Sequence, residues 1–402
     1  MQTQLTEKYL QTPEGLEAES ILRSCVHCGF CTATCPTYQL LGDELDGPRG
    51  RIYLMKQVLE GNEVTQKTQS HLDRCLTCRS CETTCPSGVQ YGRLIDIGRD
   101  IVKQQVDRPF KEQILRKLLR IALPNPNVFK SLLALGRFFK PVLPDKLKNK
   151  IPLKPQISPW PATNHTRKML VLDGCVQPHT APETNAATAR VLDKLGISLI
   201  RATRAGCCGA VSHHLSAPEE GLNYMRRNID AWWPYVGEGV EAIINTASGC
   251  GVVIKDYGKL LEHDEVYADK AKTISSLAKD LSEILSKEDL STLKVKNKQK
   301  IAFHSPCTLQ HGQKIVGSVE QILNNAGYQL TGVVDSHLCC GSAGTYSILQ
   351  SELSQQLLDN KLKSLQVDSP EIIVTANIGC QMHMATKADV PVKHWIELLD
   401  IE

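Results

Sequence analysis

Cysteine spacing constrains this chain more than any other feature. Cys25, Cys28, Cys31 and Cys35 form a Cys-x2-Cys-x2-Cys-x3-Cys run closed by Pro36, and Cys75, Cys78, Cys81 and Cys85 repeat it 50 residues later, closed by Pro86. Three thiols at intervals of three wrap one face of a cubane cluster, and the fourth, carried past the x3 step, points to a second cluster. The spacing therefore predicts two [4Fe-4S] clusters that exchange a ligand: one on Cys25, Cys28, Cys31 and Cys85, the other on Cys75, Cys78, Cys81 and Cys35. Zinc is the alternative, but four-cysteine zinc modules set two Cys-x2-Cys pairs apart by a longer loop. Here eleven residues carry all four thiols.

Between the motifs, Ile52, Leu54, Met55, Val58 and Leu59 recur at helical intervals, with Gly61 placed as a C-terminal cap. Two motifs joined by helices predict an α-helical ferredoxin. His27 is expected to be a partly exposed bystander rather than a tuning hydrogen-bond donor. The alternating charges of Asp43 to Arg51 are expected to form a solvated loop capping the next helix. The alternative is that Arg49 and Arg51 lie beside a cluster and raise its potential.

The other eight cysteines, Cys175, Cys207, Cys208, Cys250, Cys307, Cys339, Cys340 and Cys380, form a second duplication. In each copy 32 positions separate the first cysteine from a Cys-Cys-Gly turn, at an offset of 132, and the closing cysteine follows a glycine at an offset of 130. Such self-similarity means two homologous domains. Each copy alternates strand and helix, from KMLVLDGC or KIAFHSPC through EAIINTA or EIIVTAN, which predicts a parallel α/β layer with the cysteines at the carboxyl ends of strands. Open α/β sheets place ligands there. These eight are candidates for an additional redox or cluster site; burial as small hydrophobes is the alternative. Gly209 and Gly341 would let the turn bring adjacent thiols together. The neighbouring His213, His214 and His304 are expected to be satisfied structural residues.

The predicted fold is α+β and multidomain: an α-helical ferredoxin domain with two clusters over 1–108, a basic proline-rich linker over 109–163, a first cysteine-rich α/β domain over 164–262, a helical connector over 263–299 and a second cysteine-rich α/β domain over 300–402. A net charge of +3 gives no reason to expect nucleic acid as a partner. No apolar run reaches the ~18 residues of a membrane span, and the first residues lack the pattern of a signal peptide. A reducing, cytoplasmic setting is therefore expected, where sixteen cysteines need a reason other than disulfides. Lys103 to Lys154 carries 13 Lys/Arg against 3 Asp/Glu, and nine of the 20 prolines fall between Pro109 and Pro161. Short helices broken by proline are expected there. Ser131 to Leu143 is apolar and basic, suited to an anionic membrane surface, an acidic partner or a solvated linker. With no GxGxxG, no GxxxxGK and no Ser/His/Asp set, no catalytic residue is assigned to this chain.

These motifs in this order resemble the iron-sulfur subunits of flavin-dependent 2-hydroxyacid and glycerol-3-phosphate dehydrogenases, and heterodisulfide reductase subunits. CVHCGFCTATCPTYQLLGDELDGPRGRIYLMKQVLEG, RCLTCRSCETTCPSGVQYGRLIDIGRD, AGCCGAVSHHL, NIDAWWP, DSHLCCGSAGTYS and TANIGCQMH look like bacterial glycolate oxidase (glycolate dehydrogenase) iron-sulfur subunits, and the resemblance spans nearly the whole chain. It implies a heteromeric enzyme whose FAD-containing partner subunits oxidise glycolate, and also D-lactate. This chain, without FAD of its own, would pass electrons toward the membrane quinone pool from a peripheral position on the cytoplasmic face of the inner membrane. The eight motif cysteines match the family's cluster ligands one by one. Alternatives are an iron-sulfur subunit of a lactate or glycerol-3-phosphate dehydrogenase, or a heterodisulfide-reductase-like thiol/disulfide catalyst. That last relative closes each repeat with Cys-x2-Cys, whereas Ala247 and Asn377 stand at the first of those positions here.

Overall fold

The computed structural model describes residues 1–142, 144, 148, 151–155, 157–293 and 299–400. Parts of the expected linker (143, 145–147, 149, 150, 156), of the expected connector (294–298) and of the last domain (401, 402) lie outside the described residues.

The N-terminal module is helical for local reasons. Thr12 caps the helix Pro13–Ser24 by accepting from Gly15 N, with proline at the first helical position. The helix Pro48–Leu59 also starts on proline, and Gly61 beyond its end has φ +84°, a conformation that suits glycine. Leu22, Ile52, Met55, Leu59, Leu72, Leu94 and Ile95 pack these helices against Gln66–Asp73 and Tyr91–Gln105. Cys25, Cys75 and Cys81 belong to the same core. Each such apolar side chain taken from water contributes roughly 1.5–3 kcal/mol, so the motifs hang on a stiff frame.

Each cysteine-rich repeat is a four-stranded parallel sheet. The first contains β1 Arg167–Val171, β2 Ile197–Arg201, β3 Ile243–Asn245 and β4 Ala278–Asp280, ordered β2-β1-β3-β4. The second contains β5 Lys300–His304, β6 Gln329–Leu330, β7 Ile372–Thr375 and β8 Val392–His394, ordered β6-β5-β7-β8. β4 falls within the expected connector, 263–299, yet Ile243 pairs with Ala278 and Asn245 with Asp280, so this stretch completes the first sheet. The repeats share one core, in which Met169, Ile197 and Ile244 meet Ile301, Leu323 and Val374. Across it His394 Nε2 lies 2.8 Å from Thr246 O, and Ser248 Oγ 2.8 Å from Thr308 Oγ1.

The basic segment forms two helices, Phe110–Ala122 and Pro126–Phe139, broken at Leu123–Asn125. They bridge the module and the first repeat: Arg116 pairs with Asp73 at 3.2 Å and Arg120 with Glu220 at 2.7 Å. The outer surface keeps Phe110, Leu118, Ile121, Leu132, Leu135 and Phe138 exposed. Among the described residues, no helix is long and apolar enough to cross a membrane.

Candidate functional site

In the ferredoxin-type module the backbone turns the thiols inward at matching positions. His27 and Thr77, two residues after Cys25 and Cys75, both have positive φ (57° and 54°), as do Gly29 and Arg79 (83° and 60°). This left-handed kink is costly for a residue with a Cβ. It aims backbone N–H groups at sulfur, as where Thr77 N donates to Cys75 Sγ at 3.3 Å. Cys25, Cys28, Cys31 and Cys85 line one cavity of about 30 Å³, together with Cys81 of the second motif and with His27, Arg49 and Tyr91. Burial pushes the Cys31 thiol up to about 11, and Cys25, Cys85 and Cys28 add to it. Cys78, Cys75 and Cys35 similarly surround Cys81, whose thiol burial raises far above its ordinary range. Thiols so crowded stay protonated until iron displaces the protons, so the donor set fits iron-sulfur clusters.

Charge around the motifs was partly hidden from sequence. The Asp43–Arg51 turn is not a solvated loop: Asp46 and Arg51 are each 1% exposed. Arg51 donates to Thr37 Oγ1 at 3.2 Å and to the His71 carbonyl at 2.7 Å, and pairs with Asp46 at 3.4 Å. A charge desolvated this far needs such partners. Thr37 Oγ1 in turn lies 3.3 Å from Cys35 Sγ. Arg49, paired with Glu44 at 2.6 Å, borders the first cavity. Two groups went unnoticed in the sequence. Arg99 donates to the carbonyls of Leu72 (2.8 Å) and Cys75 (2.6 Å), and the Tyr91 hydroxyl is buried without a hydrogen-bond partner. Nothing in their local sequence separates them from ordinary helical residues.

In the repeats, each cysteine follows a strand. Cys175, Cys207–Cys208 and Cys250 lie beyond β1, β2 and β3, and Cys307, Cys339–Cys340 and Cys380 beyond β5, β6 and β7. The strand order reverses between β1 and β3 and between β5 and β7, all of them parallel, and the crevice at such a switch point is where parallel sheets hold ligands. Cys250 and Cys380 sit in the first turns of the helices Ser248–Lys255 and Ile378–Met384. The Cys-Cys-Gly turn requires its glycine. Gly209 has φ +94°, and a Cβ there would stand 2.7 Å from Gly221 O; Gly341 has φ +85°, with Ser354 O at 2.6 Å. In both turns the glycine N–H faces the first sulfur, Cys207 at 3.5 Å and Cys339 at 3.4 Å.

A cavity of about 520 Å³ lies where the module and both repeats meet. Cys75 and Cys78 of the second motif, Cys175, Cys207, Cys208 and Cys250 of the first repeat, and Cys307, Cys339 and Cys380 of the second line it. Cys78 packs with Cys307 and Cys339 in one apolar cluster, and Cys307 Sγ is 3.8 Å from Cys339 Sγ. Hydrogen bonds from Cys175 and Cys208 hold the Cys207 thiol well below its ordinary range, helped by the Gly209 N–H and the Arg227 guanidinium. Arg79–Asp256 at 2.8 Å and Thr83 Oγ1 to His311 Nδ1 at 2.8 Å lock the module onto the repeats.

The three histidines part company. His214 and His213 face Asp96 of the module at 3.1 and 3.6 Å. Burial raises the Asp96 pKa, but the two histidines hold it well below its ordinary range. They tie the first repeat to the module, although His213 Nδ1 is buried without a hydrogen-bond partner. His304 is not satisfied: it is 1% exposed, and neither ring nitrogen has a hydrogen-bond partner. Burial, and next the Lys361 ammonium, push its pKa far down.

Residues 21–89 match the family model of a 4Fe-4S dicluster domain, and residues 169–255 and 301–385 each match that of a cysteine-rich domain. The glycolate oxidase iron-sulfur subunit of Escherichia coli (strain K12) is 60% identical over 401 residues, covering 100% of this chain and 98% of that protein. The probable glycolate oxidase iron-sulfur subunit of Bacillus subtilis (strain 168) is 30% identical over 397 residues, 91% of this chain and 89% of that protein. Lactate utilization protein A of Bacillus velezensis is 26% identical over 227 residues, 53% of this chain and 91% of that protein.

Proposed function

Because the chain belongs to the family of glycolate oxidase iron-sulfur subunits, we propose that it is the electron-transfer subunit of a heteromeric, flavin-dependent glycolate dehydrogenase. On this reading glycolate loses two electrons and two protons at an FAD-containing partner subunit and becomes glyoxylate; D-lactate gives pyruvate by the same step. The electrons cross this chain singly and reach the membrane quinone pool, where two electrons and two protons make a quinol. When bound, two [4Fe-4S] clusters supply one-electron storage, one on Cys25, Cys28, Cys31 and Cys85, the other on Cys75, Cys78, Cys81 and Cys35.

The observation that carries this reading is the gradient of thiol groups from surface to interior. Cys28 is exposed, flanked by exposed Val26 and Phe30, an apolar face on which a flavin-bearing partner can dock. Cys75 and Cys81 are buried, and Cys78 packs against thiols of the second repeat. Arg49 beside the first group and Arg51 and Arg99 beside the second place positive charge where an added electron would sit, which raises reduction potential. The repeat cysteines around the central cavity then form a further redox or cluster site. Peripheral contact with the cytoplasmic face of the inner membrane falls to the helices Phe110–Ala122 and Pro126–Phe139, where exposed Phe110, Leu118 and Phe138 alternate with Lys111, Lys117 and Lys130.

Cys28→Ser in the whole complex tests the division of labour. Glycolate is expected still to reduce the partner's flavin while electron delivery to quinone stops; loss of flavin reduction itself would count against the reading. The shared cavity also favours a second reading, a thiol or disulfide catalyst. Disulfide reduction by the isolated chain with an artificial electron donor would support that instead.

A further inference from the structure

The second repeat contains a group of donors that the first lacks. One ring nitrogen of His304 and the sulfurs of Cys340 and Cys380 lie within 4.8 Å of one another, all three residues buried. Two zinc–sulfur bonds of about 2.3 Å at a tetrahedral angle separate their sulfurs by roughly 3.8 Å, so small side-chain rotations close this triangle on an ion. Leaving both nitrogens of a buried imidazole without partners costs roughly 1–3 kcal/mol for each unmet group, and in native proteins such groups nearly always have a partner in protein, water or a bound ion. At the matching position of the first repeat, 132 residues earlier, stands Leu172, packed in an apolar cluster.

Charge points the same way. Lys361 is 3% exposed and donates to the carbonyls of Asp335 (2.9 Å) and Ser336 (3.5 Å) rather than to a carboxylate. Burial works against its charge; the groups that would favour it are the thiolates of Cys340 and Cys339, then the Asp335 carboxylate and Cys307. A buried ammonium calls for a compensating negative centre, which thiolates on a metal supply. In the helices after the two Cys-Cys-Gly turns the offset is 133, because Gly221 O stands against Gly209 as Ser354 O stands against Gly341, so Lys361 matches neutral Asn228, whose side chain donates to Cys207 O at 2.9 Å and to Tyr257 Oη at 3.1 Å. Asn377 Nδ2 also donates to Cys380 Sγ at 3.4 Å, orienting that sulfur.

We propose that His304, Cys340 and Cys380 bind a thiophilic divalent ion, zinc or iron, making the second repeat a mixed imidazole–thiolate metal site and leaving the first a site of thiols alone. This rests on reading the repeat cysteines as a metal or redox centre. The ligand chemistry is shared by an isolated ion and by one iron of a cluster. It demands deprotonated sulfurs and a neutral imidazole.

The test uses the full chain, purified without oxygen and with its ferredoxin-type clusters loaded, as wild type, His304→Leu, His304→Cys and Cys380→Ser. Metal and acid-labile sulfide are counted, zinc affinity is titrated with Zn²⁺ alone, and the two cluster signals are followed by electron paramagnetic resonance. His304→Leu and Cys380→Ser are expected to lose the extra metal and at least tenfold in zinc affinity with both cluster signals unchanged, while His304→Cys, which restores a donor, retains it. Extra iron matched by sulfide would assign His304 to a cluster, and extra metal without sulfide to an isolated ion; both support the ligation. X-ray absorption at the zinc edge of the wild type should show nitrogen as well as sulfur neighbours, a readout independent of how any variant folds. Unchanged metal content and affinity in His304→Leu, or an all-sulfur zinc shell, would overturn the proposal. Reduction of the clusters by glycolate in the presence of the partner is read in the same samples. Failure of the electron-transfer reading therefore shows as unreduced clusters with the extra metal still in place.

Discussion

The chain holds two duplications, and their copies divide labour differently. In the ferredoxin-type module the copies are interlaced: Cys85 stands with the thiols of the first motif and Cys35 with those of the second. Each Cys-Cys-Gly repeat keeps its own four cysteines, and the copies meet at a core, a cavity and hydrogen bonds such as that of His394 with Thr246 O. Interlaced copies cannot change one at a time. Copies that only pack against each other can, and these two differ at matching places: Leu172 against His304, Asn228 against Lys361. Asp280 and His394, which end β4 and β8, differ as well, although both build a capping box with the glutamate three residues on, Glu283 or Glu397.

The largest expected effect tests the interlacing itself. Cys85→Ser should remove the signal of the cluster on the first motif, although Cys85 belongs to the second, and lower electron delivery more than tenfold. Cys250→Ser should leave both ferredoxin-type signals intact. Retention of the first cluster in Cys85→Ser would break the comparison. Arg51→Met comes next. It removes one of three partners of the buried Asp46 carboxylate, which keeps Arg74 at 2.8 Å and His71 at 3.0 Å, and leaves the His71 carbonyl and Thr37 Oγ1 without their donor; this should cost about 1–3 kcal/mol of stability in denaturant unfolding, whereas the half-exposed Arg49→Met should cost under about 1 kcal/mol.

Gly209→Ala and Gly341→Ala sharpen the comparison of the repeats, because both turns share one geometry. Each should cost roughly 1–3 kcal/mol through the strained φ and the close carbonyl. Unequal losses would show that the turns are not equivalent in solution.

The smallest effect is a pair of opposed pH slopes. Burial raises the Asp280 carboxyl to about 6. Its contribution to stability is full below its unfolded value, about 3.9, and is lost as pH rises through about 6. Burial lowers His394 to about 3, so its contribution is full above about 6.5, its unfolded value, and is lost as pH falls toward 3. Between about pH 4 and 6 the slopes, each about 1.4 kcal/mol per pH unit at most, oppose one another. Relative to the wild type, melting temperatures across that window should therefore rise more with pH in Asp280→Asn and rise less, or fall, in His394→Asn. Parallel profiles in the two variants would refute the assignment.

The motif cysteines, the repeat offset and six of the eight strands were legible because each leaves a periodic or spaced pattern. β4 was not: Ala-Lys-Asp has no alternation to distinguish it from the charged connector around it, and only pairing with β3 makes it a strand. Arg51 and Asp46 sit in a run of charges that locally favours solvent, and their burial comes from helices that meet only in three dimensions. A lone histidine carries no partner information, so the sequence points to a satisfied residue at His304. Laying the repeats over each other, with Leu172 beneath it, is the signal that would have set it apart. The basic segment showed its prolines, but not that the helices between them run 13 and 14 residues.

The central claim is that electrons from glycolate pass through this chain. The direct measurement is to purify the tagged protein without oxygen together with whatever accompanies it, add glycolate, and follow the clusters by electron paramagnetic resonance. Prompt reduction of two interacting [4Fe-4S] signals in the presence of a co-purified flavoprotein is the predicted result. Clusters that stay oxidised with glycolate but are reduced by glycerol 3-phosphate, or by neither substrate, would contradict it.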